Sequence, residues 1–209
     1  MVRWLGVALA LASLAMVTGC ATAGSAGSAS SSSSSSSPPV DSSLRSSASA
    51  LDPVSQGEVT PKGELQGPFP VTRVVDGDTI HVDTRQGDLK VRLIGIDTPE
   101  TVDPNRPDGC FGAEASAQAQ RLLAGTSVYL ELDPSQGDTD RFGRTLAFVW
   151  MSRQEMFNLI MVQQGFATEY TYDKPYAYQA EFQAAQAQAR AAQTGLWSPS
   201  TCNGVVRNP

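Results

Sequence analysis

The sequence predicts a small, mainly β fold of the α+β class: a five-stranded barrel carrying three helices. Two observations predict it. Five short runs rich in Val, Ile, Leu and Thr follow one another with few long connections, as a small closed sheet requires. Three further stretches have helical spacing, and each stops at a glycine. At 209 residues the chain has room for one such domain with appendages.

The folded part is expected to begin near Pro68 and run to residue 209. Val71–Val75 and Ile80–Asp83 read as strands separated by the turn signal Asp76-Gly77-Asp78. Leu89–Ile96 alternates, placing Leu89, Val91, Leu93 and Gly95 on one face and Arg92 on the other. Ala113–Ala124, Ala/Gln-rich and stopped by Gly125, reads as the first helix. Ser127–Leu132 and Leu146–Trp150 supply the last two strands. Met156–Gln164 carries Phe157, Ile160, Met161 and Gln164 at helical spacing before Gly165. Tyr176–Gln193, with Phe182 and many alanines, closes at Gly195. These apolar faces are core rather than cofactor boxes, and no internal repeat is present.

Ahead of the domain lie two segments of different character. Residues 1–20 carry an early Arg3, an apolar run from Leu5 to Val17, and Thr18-Gly19-Cys20. That is a secretory signal, too short to span a bilayer as a mature helix. Val17-Thr18-Gly19-Cys20 also resembles a bacterial lipobox, which makes Cys20 the expected lipidation site and the membrane its expected anchor. Residues 21–67 are read as a tether. The part to residue 50 is mostly Ser, Ala and Gly, including the unbroken run Ser30–Ser37, and buries too little apolar surface to offset its ordering entropy. A flexible chain of about 45 residues has a root-mean-square span of roughly 35–40 Å.

With Cys20 assigned to lipid, Cys110 and Cys202 remain, and an even remainder in an exported chain is what a disulfide requires. In the loop-entropy account, closing about 90 residues stabilises the fold by roughly 4–5 kcal/mol. His81, the only histidine, cannot by itself build a His-based metal site or a His-dependent triad, and its place in an alternating run reads as a plain strand residue. The formal net charge is −6; from Pro68 onward 12 Lys and Arg face 17 Asp and Glu. A protein living by non-specific duplex binding is usually basic. A nucleic-acid ligand would therefore need a local arginine cluster and a bound cation.

The chemistry concentrates in four segments: Asp76-Gly77-Asp78-Thr79, Arg92, Asp97-Thr98-Pro99-Glu100 and Asp140-Arg141-Phe142-Gly143-Arg144. Asp78 follows a turn, and Asp97 ends a strand before a Thr98 that Pro99 biases toward an extended conformation. Acids so placed lie at a barrel mouth, and an oxygen-only donor set favours Ca²⁺ or Mg²⁺ over Zn²⁺. Arg92 sits mid-strand in Val91-Arg92-Leu93-Ile94, where a buried charge needs a partner. Taken singly, each piece is explained by a turn or a structural salt bridge. Together they are the inventory of metal-assisted phosphodiester hydrolysis.

From about Val71 to Trp197 the sequence resembles the staphylococcal nuclease (thermonuclease) family. The resemblance is carried by Asp-Gly-Asp-Thr at 76–79, Arg-Leu-Ile-Gly-Ile-Asp-Thr-Pro-Glu at 92–100, Phe-Gly-Ala-Glu-Ala at 111–115, Asp-Arg-Phe-Gly-Arg-Thr-Leu-Ala at 140–147 and Gly-Leu-Trp-Ser at 195–198. The intervals match as well: 14 residues from Asp78 to Arg92, 5 to Asp97, 3 to Glu100 and 44 to Arg144.

The resemblance implies an OB-fold barrel and a monomeric, calcium-dependent nuclease acting on DNA and RNA and leaving 3′-phosphate ends. Asp78, Asp97 and the Thr98 carbonyl would bind Ca²⁺, with Asp76 close behind. Glu100 would orient or deprotonate the attacking water, and Arg92 and Arg144 would neutralise the phosphoryl oxygens. Tyr170 and Tyr172 resemble the family's paired tyrosines beside the nucleotide, and Arg141 would reach a terminal phosphate. Phe142 stands where many relatives have Tyr. A catalytically silent OB-fold binding module is the alternative reading, but such a relative should have lost one of Asp78, Arg92, Asp97, Glu100 or Arg144, and none is missing.

The guanidinium fork can hold two phosphate oxygens where an ammonium holds one. Arg92→Lys is therefore expected to lose most hydrolysis of an oligonucleotide in steady-state assays. Near-normal turnover in that variant would remove Arg92 from the mechanism.

Overall fold

A computed structural model of the chain describes residues 59–99, Thr101 and 109–205. The expected signal segment, Cys20, the tether as far as residue 58, and Glu100 lie outside the described residues. Among the described residues no helix is long and apolar enough to cross a membrane.

Five strands form a ring, as expected: β1 (Leu65–Val74), β2 (Thr79–Thr84), β3 (Gly87–Leu93), β5 (Ser127–Glu131) and β6 (Thr145–Ser152). The pairings β3–β2–β1–β5–β6 are antiparallel, and a parallel pairing of β3 with β6 closes the ring. In that seam Val91 pairs with Thr145, Arg92 with Leu146 and Leu93 with Ala147. Closure leaves no strand of the ring with an unpaired edge.

The alternation read from sequence holds where a strand has one wet face. In β3, Val91 and Leu93 are buried while Lys90 is exposed. It fails in β6, where Ala147, Phe148, Val149 and Trp150 are all fully buried. One face of β6 fills the barrel, and the other packs under helices α2 (Phe157–Gln163) and α3 (Gln179–Ala191). Phe148 meets Tyr178 edge-on, with ring centroids 4.8 Å apart, and lies 6.2 Å from Phe182. Helix α1 (Gly112–Leu123) covers β1 and buries Ala115, Ala119 and Leu123.

Two-residue strands complete the fold. β4 (Ile96–Asp97) pairs with β8 (Thr168–Glu169), and β7 (Glu155–Met156) extends β6. Asn158 of α2, fully buried, accepts the Val149 N–H at 2.8 Å and donates to the Ile94 carbonyl at 2.9 Å. That single amide ties the β3–β4 connection to β6.

Three expectations need correction. The fold does not begin at Pro68, which lies inside β1, and the tether reading does not extend to residue 67. Glu131, only 2% exposed, accepts N–H bonds from Lys62 (2.9 Å) and Gly63 (2.5 Å), the Trp150 indole N–H and the Tyr178 hydroxyl. Those bonds hold Lys62 and Gly63 in the fold. Gly95 is not in the third strand: the strand ends at Leu93, and Gly95 turns the chain with φ +80°. Gly195 does not close the third helix, which ends at Ala191; Gln193 takes the left-handed conformation (φ +52°) and Thr194 N–H caps the Ala189 carbonyl at 3.0 Å. The expected Cys110–Cys202 disulfide is formed and joins the start of α1 to the C-terminal segment across 92 residues.

Candidate active site

The carboxylates are placed by the β1–β2 turn and by the residues after β3. Val75 and Asp76 N–H both reach the Thr79 carbonyl, and Asp76 Oδ1 accepts the Asp78 N–H at 3.0 Å. This self-bonded Asx geometry is what Asp-Gly-Asp supplies. Gly77 is needed because Thr98 lies against it; a Cβ there would come within 2.6 Å of the Thr98 methyl. Asp78, almost fully buried, accepts the Thr98 N–H and hydroxyl on Oδ2 at 3.0 and 3.1 Å, and the Thr79 hydroxyl on Oδ1 at 3.1 Å.

Arg92 crosses this cluster. Its Nη1 donates to the Leu93 and Ile96 carbonyls at 3.0 and 2.9 Å, and its Nη2 lies 3.2 Å from Asp78 Oδ2 and 3.1 Å from Asp97 Oδ1. The guanidinium partner that burial demanded is thus a pair of acids from the predicted metal set. Asp97 is exposed and held by β4, with the Thr168 hydroxyl on its carbonyl at 3.2 Å.

Arg144 enters from the turn before β6. Asp140 Oδ1 accepts N–H bonds from Phe142 (2.8 Å) and Arg144 (3.0 Å), and Asp140 Oδ2 takes the Arg144 Nε at 2.6 Å. Partial burial works against the Asp140 charge, but these bonds and the Arg144 cation outweigh it and hold the carboxyl below its usual value. Phe142, 68% exposed, carries the Arg141 guanidinium 4.7 Å and the Arg144 guanidinium 5.3 Å from its ring centroid. Both are within cation–π range.

Two adjoining hollows use these residues. One, of about 260 Å³, is lined by Asp76, Asp78, Arg92, Asp97, Thr98, Pro99, Phe142 and Arg144. The other, of about 510 Å³, shares Arg92, Asp97, Phe142 and Arg144 and adds Arg141, Tyr170, Tyr172 and Lys174 among its walls. Tyr170 and Tyr172 are 43% and 73% exposed, with rings 6.4 Å apart. The structure therefore gathers Asp76, Asp78, Asp97, Thr98, Arg92 and Arg144 at one hollow, and Arg141, Tyr170 and Tyr172 along the next. The expected water-activating Glu100 lies outside the described residues.

Sequence reasoning gave no role to Asp140, although its four-residue spacing from Arg144 and its place at the head of a turn were visible. It also missed Phe142 as a shared floor for two guanidinium groups. A solvent-exposed aromatic between arginines has no periodic signature.

The residues fit a hard divalent cation. Every candidate donor is oxygen. Burial, reinforced by the neighbouring Asp78 charge, pushes Asp76 up to about 6, a strain that a cation between the acids would relieve. Among the described residues no three acidic, His or Cys side chains form a ready metal cage. A cation held by Asp78, Asp97 and the Thr98 carbonyl would complete its shell with water or substrate oxygen.

The family described as staphylococcal nuclease homologue matches residues 90–199. A thermonuclease of Staphylococcus hyicus is 44% identical over 130 residues, covering 62% of this chain and 75% of the relative. A thermonuclease of Staphylococcus intermedius is 42% identical over 127 residues (61% and 74%), and the endonuclease YncB of Bacillus subtilis 31% over 137 residues (65% and 63%).

Asp140→Asn retains an Oδ1 acceptor for the turn but removes the charge that holds Arg144. Turnover of an oligonucleotide is expected to fall about tenfold, since small misplacements of a reacting group cost that much or more. Circular-dichroism melting should barely move. Unchanged turnover would mean that Arg144 needs no such support.

Proposed function

The chain belongs to the staphylococcal nuclease family and is a nuclease, a phosphodiester hydrolase; on that footing we propose that it is a calcium-dependent enzyme cleaving DNA and RNA to 3′-phosphate products, exported and held at the membrane by lipid on Cys20. One observation supports this reading above all: Arg92 of β3 and Arg144 of the turn before β6, with Asp76 and Asp78 beside the β1–β2 turn and Asp97 of β4, line a single hollow that opens into an aromatic-walled groove.

A phosphodiester anion repels hydroxide, and enzymes must lower its hydrolysis barrier by up to roughly 20 kcal/mol. The family is metal-dependent. Asp78, Asp97 and the Thr98 carbonyl would hold the cation, which would supply positive charge and a more acidic water. Arg92 is anchored by Nη1 to two carbonyls, so Nη2 is the edge that can exchange a carboxylate for a phosphoryl oxygen. Arg144 spends Nε on Asp140, leaving both Nη groups for a second oxygen. Fixed donors aimed at developing charge need no reorganisation during reaction. Glu100, five residues after the β4 entrance at Gly95, would orient or deprotonate the water. Tyr170 and Tyr172 would stack on bases of any identity, and Arg141 would meet a terminal phosphate.

The Cys110–Cys202 disulfide supports an oxidising, extracytoplasmic setting. The acidic domain supports a bound cation, since it repels a polyanion without one.

Single-stranded DNA, duplex DNA and RNA digested with Ca²⁺, Mg²⁺ or EGTA, followed by end-group analysis, should show Ca²⁺-supported cleavage, no turnover in EGTA and 3′-phosphate ends. Products bearing 5′ phosphates, or activity surviving EGTA, would overturn the mechanism. For the anchor, Cys20→Ser should move the enzyme from the membrane fraction to the soluble one; continued membrane association would refute lipid attachment there.

A further inference from the structure

Behind the exposed tyrosines lies a polar network that the reaction chemistry does not require. Glu169, half-buried at the end of β8, immediately precedes Tyr170-Thr171-Tyr172. Its Oε1 accepts the Thr171 hydroxyl at 2.6 Å and the Tyr176 hydroxyl at 3.1 Å. Gln179 of α3 donates to the same Thr171 hydroxyl at 2.6 Å, and Gln186 accepts the Glu169 N–H at 2.9 Å. Thr171, the residue between the two stacking candidates, is therefore fixed from both sides.

The network reaches the metal side of the site through backbone alone. The Gly95 carbonyl accepts the Tyr170 N–H at 3.0 Å and lies 3.3 Å from the Tyr176 hydroxyl. The Tyr176 ring sits so close to Gly95 that a Cβ there would come within 2.7 Å of it. One residue on, Ile96 pairs with Glu169 and gives its carbonyl to Arg92. Tyr170 is thus held to the chain that carries Arg92 and Asp97.

Exposed aromatic side chains on a loop lose freedom when a base stacks on them, and that loss weakens binding unless the loop is already fixed. We propose that Glu169 is a positioning residue for substrate: by holding Thr171 and Tyr176 it fixes the Tyr170–Tyr172 pair at a set distance from the Arg92–Asp97 cluster. Its contribution is to the binding of a base, not to the chemical step. The inference rests on the nuclease reading of the site.

The test compares Glu169→Ala, Glu169→Gln and Thr171→Val with the wild-type chain on a single-stranded oligonucleotide and on an abasic oligonucleotide of equal length, in Ca²⁺. Loss of half the support for a stacked base corresponds to a KM about five- to tenfold higher. Glu169→Ala should show that rise on the base-bearing strand with kcat within about twofold, and no rise on the abasic strand. Glu169→Gln, which keeps an acceptor oxygen, should recover most of the loss. Thr171→Val removes the same tie with almost no change of volume and should reproduce the KM effect even if Glu169→Ala folds poorly. In a Tyr170→Ala/Tyr172→Ala background Glu169→Ala should add nothing. An equal KM rise on both strands, a fall in kcat alone, or full additivity with the tyrosine changes would overturn the assignment. A wild-type chain that cleaves neither strand would instead overturn the nuclease reading.

Discussion

A buried guanidinium organises this molecule. Arg92 is the penultimate residue of a strand whose other face is hydrocarbon, and its side chain is only 14% exposed. A cation so placed, without partners, would cost several kcal/mol. It finds two carbonyls on the chain that follows it and two carboxylates, Asp78 beside the β1–β2 turn and Asp97 in β4. Satisfying that one charge bends the chain after β3, brings Asp97 beside Asp78 and fixes the mouth of the barrel. Function and folding share the same bonds here, because the acids that neutralise the arginine are those that would otherwise hold a cation.

Around that centre the support is layered. Asp140 restrains Arg144 through Nε as the Leu93 and Ile96 carbonyls restrain Arg92 through Nη1, so each arginine has a fixed edge and an edge that can turn to substrate. Asn158 holds the Ile94 carbonyl against β6, which keeps the β3–β4 bend from drifting. Gly77 and Gly95 admit Thr98 and Tyr176 at distances no larger residue would permit. Small residues and one buried amide thus set the position of charged groups several ångströms away. Glu131 plays the same part at the opposite end of β1, where it captures the incoming chain.

Much of this was legible in the sequence because it is local. The five long strands, the three helices and the Asp-Gly-Asp turn follow from period and turn chemistry, and the site residues followed from ordered motifs at fixed intervals. The illegible parts are long-range or too short to show a period. β4 and β8 have two residues each, below the length at which alternation carries information. The capture of Lys62 and Gly63 depends on Glu131, 68 residues away from Gly63, so no local pattern marks them as part of the fold. Glu169 has no local signal of its part until Tyr176 and Gln186 fold back onto it. In β6 the alternation was absent for a physical reason, since helices cover the face that would have been wet.

The parallel seam between β3 and β6 has a consequence for how the molecule is made. Every other pairing in the ring is antiparallel, and this one, like β1–β5, joins residues more than fifty positions apart, with α1 and β5 between its strands. Closing so long a loop costs entropy before any contact repays it, which places such pairings late in folding. Arg92 lies in one strand of that seam, and Arg144 immediately precedes the other. The two arginines therefore come to one hollow only when the ring shuts, and the unfolded chain carries no assembled arginine pair until then. Latency before folding is built into the topology.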